Sequence, residues 1–404
     1  MEVHPGMPVE RPAAATGLAT SPGQLLALIR SSPEGISRAS LLELTGMARS
    51  TLYERLDALF AAGLAYEAEP LRSTGGRRAR RIRFDDREKV LVAIDAGQTH
   101  AAVHLLTPGH TVLASAVFRW DASGPAGAAV DLFASAAREL LAGRTPVGTG
   151  LGLPAPVEAS GAAGLSRSIL GHWDLPSVLA RLEEALACPV VVENDARAMA
   201  VGEAGAADEG LVAVKVSTGI GCGIVVDGAL VRGVHGAAGD IGHVRIPEAA
   251  GRTCRCGRAG CLAAAASGRA LLAEPGLQHC RSLADLARAH DAGDPAVLAA
   301  VAEAGRLTGS VLAAVVATVN PARVALGGVV GLLDTFVQAV REEIGERVFA
   351  DVLTGLEIGP SRASHPIPIG LSRLVMQALY APARIDALLA QAARAAALPE
   401  TGAS

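Results

Sequence analysis

Cys254, Cys256 and Cys261 form a C-x-C-x4-C array, and His243 stands eleven residues ahead of it. Three thiolates and one imidazole are the donor set of a closed tetrahedral zinc site, which has no open position for water. Gly257 and Gly260 lie between the cysteines, where a tight loop needs positive φ to aim several sulfurs at one ion. Buried free cysteines are the alternative. The spacing and the interleaved glycines favour a structural zinc loop over residues 243–261.

Other groups could also carry chemistry. Asn194-Asp195 follows the apolar run Pro189–Val192 and precedes a helix of small residues. A carboxylate at such a strand end can act as a general base on a hydroxyl, or it can cap the helix; both roles stay open. The loops Asp95-Ala96-Gly97-Gln98-Thr99 and Ser217-Thr218-Gly219-Ile220-Gly221 each interrupt an apolar strand pattern. Glycines there let backbone N–H groups approach phosphates, with Thr99, Ser217 and Thr218 as hydroxyl donors. Taken singly, each loop reads as a tight turn; it is their pairing that points to a nucleotide clamp.

The last group is basic. Arg77, Arg78, Arg80 and Arg81 follow Gly75-Gly76, and Arg49, Ser50, Thr51, Tyr53, Glu54 and Arg55 sit on the outward side of a short apolar-periodic segment. The whole chain has a net charge of −4, so this concentration of positive charge is local. Such a footprint belongs to DNA binding.

The elements that must position these groups are visible in outline. Ser21-Pro22-Gly23-Gln24 is a capping box with proline at the first helical position, and Leu25, Leu28 and Ile29 form its apolar stripe. A second helix is predicted over Ser37–Thr45 and a third over Ala48–Ala62, with Gly46 and Gly63 as stops. Two strands, 64–67 and 81–84, would flank a wing. A three-helix protein-interaction module with a solvated basic loop is the competing reading, and the agreement of helix spacing, turn and wing favours DNA. Residues 89–397 then change to α/β patterning, in which strand, glycine loop, strand, turn, strand occurs twice. This is the signature of an internally duplicated domain with a cleft between two lobes. The stretch 381–397 reads as an amphipathic helix packing back on that domain. Residues 1–20 and 398–404 read as a disordered leader and tail.

Composition narrows the class. The 404 residues are 50% hydrophobic, enough for two or three domains. No uninterrupted apolar run of about 18 residues exists, so no membrane partner is expected. The start lacks the features of a secretory signal. Three clustered cysteines out of six suit a cytoplasmic, reducing setting with a metal rather than disulfides.

Together these segments resemble the ROK family (repressors, open reading frames and sugar kinases) of the actin-like ATPase superfamily. The resemblance rests on the winged helix-turn-helix, the DAGQT loop, GLGLPAPV (150–157), ILGHWDL (169–175), ENDA (193–196), STGIG (217–221), GAAGDIGH (236–243) and the cysteine array. It implies an α/β fold in which an N-terminal winged helix-turn-helix precedes a two-lobed, ribonuclease-H-like duplicated actin-like domain. By this resemblance Asp195 matches the kinase base, while Asn194, Asp240 and His243 match sugar-contacting positions. Asp95, Gly97, Thr99, Thr218, Gly219 and Gly221 match the phosphate loops, and Gly327 and Gly328 a nucleotide contact. ATP with Mg2+ is thereby implied as a cofactor beside zinc.

Departures from the kinase pattern oppose that cofactor. Gln98 stands where the kinases have the second glycine of D-I-G-G-T, Asp240 replaces a glutamate, and Ala263 replaces another after the last cysteine. A sugar-contacting asparagine is not evident, and Ser168 lies near its place. Each lost hydrogen bond to a charged group is worth about 1.5–3 kcal/mol. The expectation is therefore a regulator, more a repressor than an activator. It would bind double-stranded operator DNA as a homodimer or homotetramer and sense a sugar or sugar derivative. The competing expectation is an ATP-dependent hexose or N-acetylhexosamine kinase with an added DNA-binding domain.

Overall fold

The computed structural model describes residues 21–68, 80–157, 169–205 and 210–397. The leader, Arg77, Arg78, Ser168 and the tail of the sequence reading lie outside them. The chain divides into two compact units.

The first unit opens with α1 (Pro22–Arg30), whose capping box forms as read: Ser21 Oγ accepts from Gln24 N–H at 3.2 Å and Gln24 Oε1 from Ser21 N–H at 3.0 Å. Strand β1 (Ile36–Ser37) leads into α2 (Arg38–Thr45), which Gly46 ends in the left-handed region. After α3 (Arg49–Ala61) come β2 (Ala65–Ala68) and β3 (Arg81–Phe84). The three strands form an antiparallel sheet in the order β1-β3-β2. Leu25, Leu26, Ile29, Leu41, Leu52, Leu56, Leu59 and Ile82 are buried, so the apolar stripes of three helices and one sheet face close on one small core.

The second unit begins with β4 (Leu91–Ala96), β5 (His100–Leu106), β6 (Val112–Arg119), α4 (Ala126–Leu141), β7 (Gly148–Leu153), α5 (Leu175–Leu186) and β8 (Val190–Asn194). The connecting helix α6 (Asp195–Glu203) leads to β9 (Gly210–Val216), β10 (Ile220–Val226) and β11 (Ala229–Leu230). Short helices α7 (Ala263–Ala266), α8 (Gly268–Leu272) and α9 (Leu283–Asp291) precede the long α10 (Pro295–Val319). Then follow β12 (Arg323–Gly327), α11 (Gly328–Gly331), α12 (Asp334–Arg347), α13 (Ala350–Leu353), β13 (Glu357–Pro360) and α14 (Pro366–Leu379).

The sheets are β6-β5-β4-β7-β8 and β11-β10-β9-β12-β13. Both run third, second, first, fourth, fifth in their own chain order. In both, the first three strands are antiparallel and the last two join in parallel. The duplication read from the sequence is thus a duplication of topology. The Asp227-Gly228 turn has both residues at positive φ, as a two-residue hairpin requires.

Helix α10 is long and apolar enough to cross a membrane by length and composition. It is instead a core helix of the second lobe, with Val297, Val301, Leu307, Leu312 and Val316 buried and a Glu303–Arg306 pair on its outer face. Asp294 caps its start, and Asn320 ends it in the left-handed region.

Helices α6 and α14 cross at a backbone-to-backbone contact that only glycine permits. A Cβ on Gly202 would stand 1.7 Å from Pro366 O, and one on Gly370 1.8 Å from Ala198 O. Arg373 closes the joint by donating to Val201 O and Ala204 O at 2.7 and 2.6 Å.

The C-terminal helix α15 (Pro382–Ala397) corrects one expectation. It belongs to the first unit, which comprises residues 21–88 and 376–397 of the described chain. Asp386 Oδ1 accepts from Gly23 N–H at 2.7 Å, and the Tyr380 ring meets Phe84 edge-on at 4.9 Å. The amphipathic pattern correctly called for a buried face. It could not say that α1, at the far end of the chain, supplies the partner.

Candidate functional site

The cleft is built where the ends of β4, β9 and β10 meet the start of α6. Along β9, Val212, Val214 and Val216 enter the apolar core of the second lobe, so strand alternation turns Lys215 to the opposite face. There its Nζ donates to Asp195 Oδ2 at 2.7 Å and lies 3.9 Å from Asp95 Oδ1. Burial alone would lower the lysine pKa, but the Asp195 and Asp95 carboxylates outweigh it and the net shift is upward. Asp95 is shifted up by burial despite the lysine, and its Oδ1 has no hydrogen-bond partner. Lys215 is the functional residue that the sequence reading missed. It is one of only two lysines in the chain and interrupts an apolar strand, which was the available signal.

Of the two roles left open for Asp195, capping of α6 is carried mainly by its neighbour. Asn194 is the cap of α6, its side-chain oxygen accepting from Ala196 and Arg197 N–H at 3.1 Å each. Its amide nitrogen donates to Ala155 O at 3.2 Å, so Asn194 also fixes the 153–155 segment. Asp195 Oδ1 also accepts from Ala196 N–H at 2.8 Å, and its Oδ2 faces Lys215. Behind them lies Arg197, which is fully buried. It pairs with Glu193 at 2.6 Å and donates to Val157 O and Gly236 O at 2.5 and 2.6 Å. It thereby ties the end of GLGLPAPV to the start of GAAGDIGH across the base of α6.

The first glycine loop is held by Trp120, whose indole donates to Gly97 O at 2.9 Å. Gln98 projects from this loop into the space between the lobes. Its Nε2 lies 3.0 Å from where a Cβ on Gly219 would stand, and its Oε1 accepts from Arg255 of the cysteine loop at 2.9 Å. A cavity of about 340 Å3 opens beside it. Gly97, Gln98, Thr218, Gly219 and Gly221 line it, as do Asn194, Asp195, Asp240 and His243. Four predicted positions are not in this lining, Asp95, already described beside Lys215, among them. Thr99 is exposed, its hydroxyl 3.0 Å from His100 Nδ1. Gly327 and Gly328 form the β12–α11 turn, where a Cβ would strike Met199 and Val216 O respectively. Their small size serves packing there.

The four predicted metal ligands do converge. One donor atom from each of His243, Cys254, Cys256 and Cys261 lies within 4.8 Å of the others. Cys256 Sγ and Cys261 Sγ are 3.7 Å apart, and Cys254 Sγ is 3.5 Å from His243 Nδ1. A tetrahedron with metal–sulfur bonds of about 2.3 Å has edges of about 3.8 Å, so the donor set fits zinc. Positive φ at Gly257 (83°) and Gly260 (87°) makes the turn, as expected. Nδ1 faces the cysteines and Nε2 faces Asp240 Oδ1 at 3.9 Å, so the imidazole joins metal loop to cavity.

A Mg2+–nucleotide fits less well. Lys215 already places a fixed cation at both carboxylates, and Gln98 occupies the gap between the two glycine loops.

In the first unit, Arg49 and Ser50 are exposed at the start of α3, while Thr51, Tyr53 and Arg55 are half-buried. The Tyr53 ring lies under the guanidinium groups of Arg38 and Arg49, at 4.8 and 5.7 Å. Arg80 is exposed and pairs with Glu67 at 3.2 Å. Arg81 is differently employed: it donates to Gly35 O at 2.9 Å and pins β3 to the turn after α1. A DNA contact by Arg81 would compete with that bond.

Comparison with known proteins agrees with this layout. The xylose repressor of Bacillus subtilis is 28% identical over 364 residues, covering 86% of this chain and 92% of the repressor. A crystal structure described as a ROK family transcriptional regulator, a homolog of the E. coli MLC protein, superposes with a TM-score of 0.73. It is 24% identical and covers 92% of this chain and 97% of its own. The ROK hexokinase of Thermus thermophilus has a TM-score of 0.55 at 31% identity, covering 72% of this chain and 99% of the enzyme. The sequence profile of the ROK family matches residues 91–366, more than half the chain, and the protein belongs to that family.

Proposed function

We propose that this chain is a sugar-responsive transcriptional repressor whose kinase-like cleft binds a ligand without phosphorylating it. The observation that carries this reading is the Lys215 ammonium held 2.7 Å from Asp195. A general base must be free to take a proton from the substrate hydroxyl; an aspartate engaged by a buried lysine is a poor base but a good fixed acceptor. Gln98 adds to the argument, since its side chain fills the gap a nucleotide phosphate would need.

In this reading the first unit binds operator DNA through Arg49, Ser50, Thr51, Tyr53, Arg55 and the wing arginines. Asn194 shapes the cavity, and Asp195, Asp240 and His243 Nε2 offer polar groups to sugar hydroxyls. Zinc, held by His243 Nδ1 and the three cysteines, is structural: four protein donors leave it no place for water. Binding that favours one interlobe closure would shift the DNA-binding equilibrium, provided the ligand's affinity differs between the two states. Operator half-sites one helical turn apart would require a symmetric dimer or tetramer, acting in the cytoplasm where such DNA lies. The near full-length similarity to a protein named as a xylose repressor supports this reading.

Two measurements on the full chain test it. DNase protection of upstream DNA should change on adding a cognate sugar. A coupled ADP-release assay over hexoses, pentoses and N-acetylhexosamines should show no turnover. Turnover that disappears in Asp195→Asn would establish the kinase alternative, which the retained Asp195 and STGIG loop favour.

A further inference from the structure

Of the six cysteines, Cys256 alone is not buried. It lines the cavity together with Arg255 and Arg258, and Cys254 stands in the same wall. A partly exposed sulfur in a cationic setting is where a thiolate reacts, whereas buried structural cysteines are inert. Cys188, Cys222 and Cys280 are of the second kind: burial raises the pKa of each thiol, that of Cys222 to about 12. The second sulfur needed for a disulfide is close at hand. Cys261 Sγ lies 3.7 Å from Cys256 Sγ, so a bond of about 2.05 Å requires the two to close by roughly 1.6 Å. Cys254 Sγ instead faces His243 Nδ1 at 3.5 Å.

The loop that carries these sulfurs is anchored at its two ends, where Ile246, Ala249 and Leu262 enter the core of the second lobe. The described segment 252–261 contains no helix or sheet ladder and is crossed only by the isolated bridges of Arg245 with Cys261 and Thr253 with Ala259. A metal held by four donors therefore contributes much of the order of this segment, because its binding free energy is folding free energy. Two features of the cavity depend on that order. Arg255 donates to Gln98 Oε1 at 2.9 Å, which ties the metal loop to the first glycine loop. His243 faces the cysteines with Nδ1 and Asp240 Oδ1 with Nε2, the latter at 3.9 Å.

We infer that the loop is a redox switch: hydrogen peroxide joins Cys256 to Cys261 as a disulfide, zinc leaves, and the cavity loses the wall that His243 and Arg255 form. In the first step the Cys256 thiolate attacks a peroxide oxygen. The S–O bond forms, the O–O bond breaks, and the departing hydroxide takes a proton to become water. In the second step the Cys261 thiolate attacks the Cys256 sulfenic sulfur. The S–S bond forms, the S–O bond breaks, and the second hydroxide is protonated to water. Two thiolates thus lose two electrons, and one peroxide takes two protons from solvent to give two waters. His243 and Cys254 alone are too few donors for a tetrahedral zinc site. A thiol reductant and zinc would restore the loop. The redox chemistry stands on the loop itself, while its effect on ligand response rests on the sensor reading.

Zinc-loaded full chain, freed of excess reductant and treated with a small molar excess of hydrogen peroxide, tests this without any substitution. Arg252, Arg255, Arg258 and Arg269 place each of the three loop cysteines in its own tryptic peptide, so mass spectrometry maps the bond directly. A chromogenic chelator should register the loss of about one zinc per chain. The Cys256 and Cys261 peptides should be joined, and Cys188, Cys222 and Cys280 should remain free thiols. Melting shifts given by a panel of hexoses, pentoses and N-acetylhexosamines should vanish in the oxidised chain and return after dithiothreitol and zinc. Zinc that stays bound, a disulfide elsewhere, oxidation past the reversible stage, or an undiminished sugar shift in the oxidised chain would overturn the inference. If the reduced, zinc-loaded chain shows no sugar shift while zinc release and the Cys256–Cys261 bond appear, the sensor reading falls and the redox chemistry of the loop stands.

Discussion

Replacing Lys215 by methionine keeps the side-chain length and removes the ammonium that lies 2.7 Å from Asp195 and 3.9 Å from Asp95. Breaking a buried ion pair from one side costs about 3–5 kcal/mol, because the remaining charge stays desolvated. The three side chains here retain between 11% and 22% of their exposure. The lower end, ~3 kcal/mol, is therefore the working figure. At roughly 2–4 °C per kcal/mol, melting of the second unit should fall by about 6–12 °C near neutral pH.

The loss should also depend on pH, and its sign follows from the carboxylates. Burial already holds the Asp95 carboxyl above its ordinary range. Without the lysine, repulsion from Asp195 would drive one of the two higher still. A carboxyl whose folded pKa exceeds its unfolded value stabilises the fold while protonated, and that contribution is lost as pH rises through the folded pKa. The deficit of Lys215→Met relative to the native protein should therefore widen from about pH 5 to about pH 8. Adding Asp195→Asn removes the stranded charge and should recover much of the loss, a coupling of about 1–3 kcal/mol. Scanning calorimetry of the four proteins across this range measures both effects. An unchanged melting temperature, or a deficit independent of pH, would refute the buried triad and with it the reason for reading Asp195 as a fixed acceptor.

Other perturbations have equally definite outcomes. Protein purified without chelator should release about one zinc ion per chain on denaturation, and Cys256→Ser should lower both that content and the melting temperature; metal-free native protein would exclude the structural zinc. Neutralising Arg77, Arg78 and Arg80 together should weaken binding to all DNA sequences and shallow the log–log salt slope by about 0.9 for each phosphate no longer neutralised. A salt slope left intact would rule out the wing. Arg81→Ala should mainly destabilise the first unit, since its guanidinium holds Gly35 O. Asp386→Ala removes the acceptor for Gly23 N–H and should cost that unit about 1 kcal/mol in chemical denaturation; no change would mean that α15 contributes only apolar contact.

What the sequence determined by itself was local in origin. The capping box at Ser21, the stop at Gly46, the Asp227-Gly228 hairpin and the strand patterns around both glycine loops follow from neighbours a few residues apart. Their dihedral preferences and periodicity do not need the rest of the chain. The metal loop was legible for the same reason, since its three cysteines and the glycines that turn them share one short segment. The duplication was legible in the twice-repeated strand and glycine-loop pattern, its actin-like form came through resemblance to a family, and the matching strand orders of the two sheets agree with both.

Tertiary structure decided what depends on residues far apart. Lys215 has no evident meaning in an apolar strand until β4, β9 and α6 bring Asp95, Asp195 and its ammonium together, because electrostatic coupling acts through space. Gln98 could be read as a departure from a pattern, but only the folded chain puts it against Gly219 and Arg255. Gly327 and Gly328 fit a nucleotide motif in sequence, and packing on Met199 and Val216 accounts for them in the fold. The C-terminal helix showed that it had a face to bury. Which partner it buries that face against is set by the chain's path, and that path brings it to α1.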